Sequence, residues 1–161
     1  MRIKISIYTL FILITSPLMF TSACAEKNSD LIFLLSDRHH VPKASELEKQ
    51  FSSRDEFIDE LLKLRLTEKP PFVALRAEQM LLEYSDNSKV ISSLEEDLVT
   101  DGRLGLARVI IRGLSLIKDE SAKERMSRTS ADLVRKDTRL KYLEDDIKKE
   151  TDPVIRKAFG F

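Results

Sequence analysis

The residues of this chain that could take part in chemistry are few, and their spacing decides against most reactions. His39 and His40 are its two histidines. Adjacent histidines point in different directions, whereas chelation from a helix needs them four apart, so the pair reads as a loop beside Val41-Pro42 and not as a metal site. The acidic runs Glu95-Glu96-Asp97 and Glu144-Asp145-Asp146 lack the alternating Asp-x-Asp-x-Asp-Gly pattern of a calcium loop. Each is flanked by apolar residues at helical spacing, which predicts solvated helix faces. Gly102-x-x-Gly105 has no phosphate-binding lysine after it, and no serine stands in a Gly-x-Ser-x-Gly elbow. The expectation is a protein with no catalytic residues, no cofactor, no metal and no small-molecule substrate.

Charge offers one uneven feature. From Asp101 to Lys141 there are 11 basic and six acidic residues, while Pro70 to Thr100 has two and six. Arg125, Arg128, Arg135 and Arg139 follow one another at spacings of 3, 7 and 4, roughly along one side of a helix. Guanidinium groups so placed suit bidentate contacts with carboxylates or phosphates, which makes these four arginines candidate partner-binding residues. The competing reading is a solvated face laced with local ion pairs.

The first 25 residues set where such a domain is delivered. Met1-Arg2-Ile3-Lys4 is positive, the 16 residues from Ile5 to Phe20 carry no charge, and Thr21-Ser22-Ala23 is small and polar. This is the layout of an export signal, and the apolar run falls short of the roughly 20 residues a stable membrane span needs. Phe20-Thr21-Ser22-Ala23-Cys24 resembles a bacterial lipobox, with Thr21 where leucine is usual. The resemblance implies cleavage after Ala23, lipidation of Cys24 and attachment to the membrane through two or three acyl chains. Ala25, in place of an aspartate, points toward the outer membrane facing the periplasm. Cys24 is the chain's one cysteine, so it has no disulfide partner within the chain. An overlapping Ala23-Cys24-Ala25 site offers an alternative, cleavage after Ala25 and release of a soluble periplasmic or secreted protein. Removing residues 1–23 leaves 25 basic and 27 acidic side chains, a balance that argues against binding nucleic acid through bulk charge.

Beyond a tether at residues 24–29, apolar residues recur at helical spacing, so residues 30–161 are expected to form one all-α domain. Asp30 can cap a short helix carrying Leu31, Ile32, Leu34 and Leu35. Ser45 with Glu48 has capping-box spacing. Ser53 precedes a helix with Phe57, Ile58, Leu61, Leu62 and Leu64 inside. Pro71 opens a helix whose stripe is Val73, Ala77, Met80, Leu81 and Tyr84. Val90, Ile91, Leu94 and Leu98 mark another helix, and Thr100-Asp101-Gly102 ends it. The stretch from Arg103 to Ile117 is apolar on several sides and should be central. A weakly apolar helix from Ser121 to Lys136, with Ala122, Met126 and Leu133, is expected at an edge. Leu140, Leu143 and Ile147 mark a further helix to about Glu150, and Asp152-Pro153 opens the last.

Asp101-Gly102-Arg103-Leu104 followed by Ala107, and Asp152-Pro153-Val154-Ile155 followed by Ala158, look alike, and Pro71-Phe72-Val73 with Arg76-Ala77 is a degenerate third copy. Over residues 70–161 this pattern resembles the HEAT-like repeat family. The resemblance implies antiparallel helix pairs stacked into a short α-solenoid, with the inner helices as a surface for a protein partner. A plain irregular helical bundle is the competing architecture. The function expected from all of this is a lipid-anchored envelope scaffold or protein-interaction module, with an accessory subunit of an envelope enzyme as the remaining alternative.

Overall fold

A computed structural model of the chain describes residues 30–37, 42–67 and 70–161. The export signal, Cys24 with its tether, and His39-His40 lie outside the described residues. The described residues are all-helical, with no strand among them. In chain order the helices are α1 (30–36), α2 (Ala44–Glu48), α3 (Arg54–Leu64), α4 (Pro71–Glu83), α5 (Ser88–Val99), α6 (Leu104–Arg112), α7 (Glu120–Lys136), α8 (Leu143–Ile147) and α9 (Pro153–Phe159). Single 3₁₀ turns at Leu114–Leu116 and Thr138–Leu140 follow α6 and α7.

Local chemistry sets the helix starts. Ser53 accepts the Glu56 N–H at 3.1 Å while Glu56 reaches back to the Ser52 N–H at 2.8 Å, satisfying two of the amides a helix leaves bare at its start. Asn87 caps α5 through the Lys89 N–H, and Asp119 caps α7 through the Ala122 N–H at 2.7 Å. Pro71 fills the first position of α4. α2 starts two residues earlier than the Ser45 spacing suggests: Lys43 is the capping position, and Glu46 accepts the Lys43 N–H. Glu48, freed from that role, accepts instead from the Tyr84 hydroxyl at 2.7 Å.

The helices pack in two interleaved rows. α3, α5, α7 and α9 contact one another in succession, as do α4, α6 and α8, and each helix also touches chain neighbours in the opposite row. The core runs between the rows, through Phe57, Leu61, Val73, Leu81, Leu94, Ile110, Ile111, Leu114, Met126, Leu143 and Ile155. Tyr84 stands edge-on to Phe57 at 5.8 Å, with the Arg54 guanidinium 5.0 Å from its ring centre. α1 is held by Arg76 of α4, which donates to the carbonyls of Leu35 and Asp37 at its C-terminal end.

Three further sequence expectations change. The central helix stops at Arg112 and not at Ile117. At Gly113 the chain turns, and a Cβ there would come within 2.3 Å of Leu82 Cδ1. α7 is not a thinly packed edge: it contacts α5, α6 and, most extensively, α9. Its buried face is made of small and polar residues, Ala122, Ser127, Ser130 and Ala131, with Met126 and Val134, while Leu133 is only partly buried. Small side chains let two helices approach closely, and a hydropathy pattern does not register that. The three similar sequence stretches also occupy unlike places. Those opening α4 and α6 lie side by side in one row, whereas Asp152-Pro153 opens α9 in the other. Asp152 caps its helix through the Val154 and Ile155 amides, but Asp101 caps nothing: Arg103 precedes α6 and no side chain closes it.

Candidate functional site

The row α5–α7 leaves an open groove along its outer side. α5 contributes Ser88, Ile91, Ser92, Glu95 and Val99, whose spacing puts them on one helical face, and α7 contributes Ser121, Ala122, Arg125 and Thr129. The groove has two compartments of about 600 and 380 Å³ that share Ser92, Glu95 and Arg125. Arg125 forms the divide. Its Nη2 lies 2.8 Å from Glu95 Oε1, its Nε 2.9 Å from the same oxygen, and its Nη1 donates to Ser121 Oγ at 2.9 Å.

Charges in this groove already hold one another. Asp86, at the end of the larger compartment, accepts two bonds from Arg54 at 2.6 and 2.8 Å and one from Lys118 at 3.3 Å. The Arg54 hydrogen bonds hold the Asp86 carboxyl well below the usual carboxylate range. Asp119 is spent on its own helix cap. Buried Ser85 donates to the Leu116 carbonyl at 3.2 Å and accepts the Lys118 N–H at 3.0 Å, tying the α4–α5 corner to the approach to α7. The hydroxyls of Ser88 and Ser92 and the apolar side of Ile91 remain to receive an occupant.

The four arginines singled out in the sequence do not converge. Arg125 faces α5 across the groove. Arg128 pairs with Glu124 one turn back and lines a separate hollow with Val154, Lys157 and Ala158 of α9. Arg135 pairs with Asp132 at 3.2 Å and donates to the Ala158 carbonyl, also at 3.2 Å. Arg139 lies beyond the helix, paired with Asp137 at 2.7 Å. Each has a carboxylate partner, and each pair is substantially exposed.

A polar cluster inside the fold was not legible as a site. Asp97, on the inner side of α5, accepts from both Arg65, just after α3, and Arg103, just before α6. Its neighbour Glu96 lies on the rim, 3.8 Å from Arg65 and 3.3 Å from Arg103. Glu78 of α4 is wholly buried against this group, and neither of its oxygens receives a hydrogen bond from an N–H or O–H donor. Its carboxyl is pushed up to about 8, first by burial and then by the charge of Asp97. Arg65 Nε and Ser93 Oγ are likewise buried without acceptors. One signal pointed here: Glu78 falls four residues after Ala74 and four before Leu82, in a row of otherwise apolar positions.

Among the described residues no cluster of His, Cys, Asp and Glu could hold a metal, and no helix is long and apolar enough to cross a membrane. No protein-family model, curated protein or solved structure matches the chain.

Proposed function

We propose that this protein is a lipid-anchored, non-enzymatic interaction module of the bacterial cell envelope, a short α-solenoid of HEAT-like helix pairs that holds a partner protein. The observation that carries the reading is the α5–α7 groove: open, shallow and lined by polar and apolar side chains alike, it suits a chain segment better than a reacting small molecule. The alternation of helices between two rows, each touching the next in its own row, supports the solenoid architecture over an irregular bundle. Lipidation at Cys24 supplies the anchor, and multiple acyl chains pass the threshold for stable attachment. Because the charges of the groove are mutually paired, the partner is read through serine hydroxyls and apolar contact, with bulk charge secondary. The Ala23-Cys24-Ala25 site favours a second reading, the same module released as a soluble periplasmic or secreted protein.

Two measurements test this. Metabolic labelling with a radiolabelled fatty acid should mark the wild-type chain and not Cys24→Ala; an unlabelled mature chain beginning at Glu26 would establish the soluble form instead. A photocrosslinking residue placed at Ser92, in the groove, should trap one discrete envelope protein, while the same residue at exposed Asp55 of α3 should not. Equal trapping at both positions would remove the groove from the proposal.

A further inference from the structure

The polar cluster at the meeting of α3, α4, α5 and α6 has a chemistry of its own. Two carboxyls, Glu78 and Asp97, lie within hydrogen-bonding approach of each other. Two carboxylates cannot bond, because each only accepts; the contact exists only with a proton between them. Asp97 is the natural holder of the negative charge, since Arg65 and Arg103 both donate to it. Glu78, with no donor on either oxygen, is the natural holder of the proton. We propose that the buried Glu78–Asp97 pair, clamped between Arg65 and Arg103, is a one-proton latch that is closed while Glu78 keeps its proton and is opened by its loss.

Opening is a local rearrangement with identifiable parts. When the Glu78 proton passes to solvent water, a second carboxylate is left in a dry site, and its desolvation cost stands in full unless a donor turns to it. Arg65, whose charge acts on Glu78, has its Nε buried without an acceptor, so Arg65 can transfer part of its bonding from Asp97 to Glu78. The charged and titratable groups facing Glu78 are Arg65 from the end of α3, Asp97 from α5 and Arg103 from the start of α6, with Glu96 at the rim. A small cavity of about 90 Å³, lined by Asp97, Gly102, Arg103 and Arg139 among others, adjoins the Asp97 side of the pair. The elements that loosen are those pinned by Asp97, the C-terminal end of α3 and the first turn of α6.

The sign follows from linkage. Glu78 is neutral in the folded chain up to about pH 8 and ionised in the unfolded chain above roughly 4.3. Between those limits the folded state holds one more proton, so stability is fully present at the acid end and falls as pH rises. Above the window the loss is complete.

Equilibrium urea unfolding of the purified full chain, measured at several pH values from 5 to 9 beside Glu78→Gln, tests the latch. Glutamine keeps the size of the side chain and never ionises. The wild-type unfolding constant should rise by up to about tenfold per pH unit relative to the variant across the window, and the variant should be the more stable protein at pH 9. Parallel pH profiles for the two proteins would overturn the proposal. Infrared difference spectra of the wild type give a readout that does not depend on the variant folding: the C=O stretch of a protonated carboxyl should be present at pH 6 and gone at pH 10. Absence of that band at pH 6 would also overturn it. The ratio of amide exchange rates at residues 103–107, wild type over Glu78→Gln at equal pH, should rise above pH 8, and a constant ratio would refute the assigned site of opening.

Discussion

Arg125 of α7 spans the groove to Glu95 of α5, its Nη2 2.8 Å from Oε1, and divides one channel into two compartments. Both side chains are partly solvated, so the pair contributes less to stability than its geometry suggests. Arg125→Ala and Glu95→Ala should each cost under about 1 kcal/mol, with a coupling of a few tenths in a double-mutant cycle that fades at high salt. Thermal unfolding of the four proteins at two ionic strengths measures this. A coupling of several kcal/mol would show that the pair holds the two helices together.

Asp86 and Asp97 each accept from two cations but differ in solvent contact. Asp97 is enclosed, and Asp97→Ala would leave the buried Arg65 with only the more distant Glu96 at the rim as a carboxylate partner, a loss of about 3 kcal/mol. Asp86 is open to water, and Asp86→Ala should cost no more than about 1 kcal/mol. Urea midpoints for the two variants should separate widely, and similar midpoints would contradict the difference in burial.

Gly113 and Leu82 should behave as one unit in mutagenesis. A methyl at Gly113 would collide with Leu82 Cδ1, so Gly113→Ala should destabilise by about 1–3 kcal/mol. Leu82→Ala alone should cost about 2–5 kcal/mol through the void it leaves. The double variant should be more stable than the sum of the two losses predicts, since the new methyl enters the vacated space. Strict additivity would show that the chain relieves the contact elsewhere.

Acid should act on α9. Burial raises the Asp152 carboxyl, but the Lys123 ammonium at 3.1 Å and the Val154 and Ile155 amides outweigh it, and the net effect is to lower it. A carboxyl lowered in the folded state adds stability above its unfolded value of roughly 3.9 and loses it as pH falls through the folded one. Wild type should therefore outlast Asp152→Asn at neutral pH, and the gap should narrow toward pH 2. Circular dichroism across an acid titration of both proteins follows the change; a constant gap would remove the ion pair from the account.

The elements that were legible in the sequence are those built from local rules. Ser53, Pro71 and Asp152 start helices because their backbone and side-chain chemistry requires nothing distant, and the stripe from Val73 to Tyr84 is buried as its period dictates. Asp97 reads in the sequence as part of a solvated acidic face, yet it is buried. Whether that carboxylate turns inward depends on Arg65 and Arg103, which lie 32 and 6 residues away and are brought together only by tertiary packing. Ser127 and Ser130 escaped for the opposite reason: polar side chains on a helix face suggest water, yet here their small size lets α9 settle against α7. The four arginines share a helical side in projection, but α5 and α9 approach that side from two directions and divide it.

The seating of Leu82 over Gly113 is also a mechanical key. Leu82 belongs to α4 and Gly113 to the corner that closes α6, so sliding one helix along the other would draw a fully buried side chain out of its slot. Each Å³ of void opened that way costs roughly 24 cal/mol, a resistance that rises from the first fraction of an ångström. The α4–α6 row is thereby indexed like a toothed rack. The α5–α7 pair, by contrast, is bridged across its open face by the solvated Arg125–Glu95 contact.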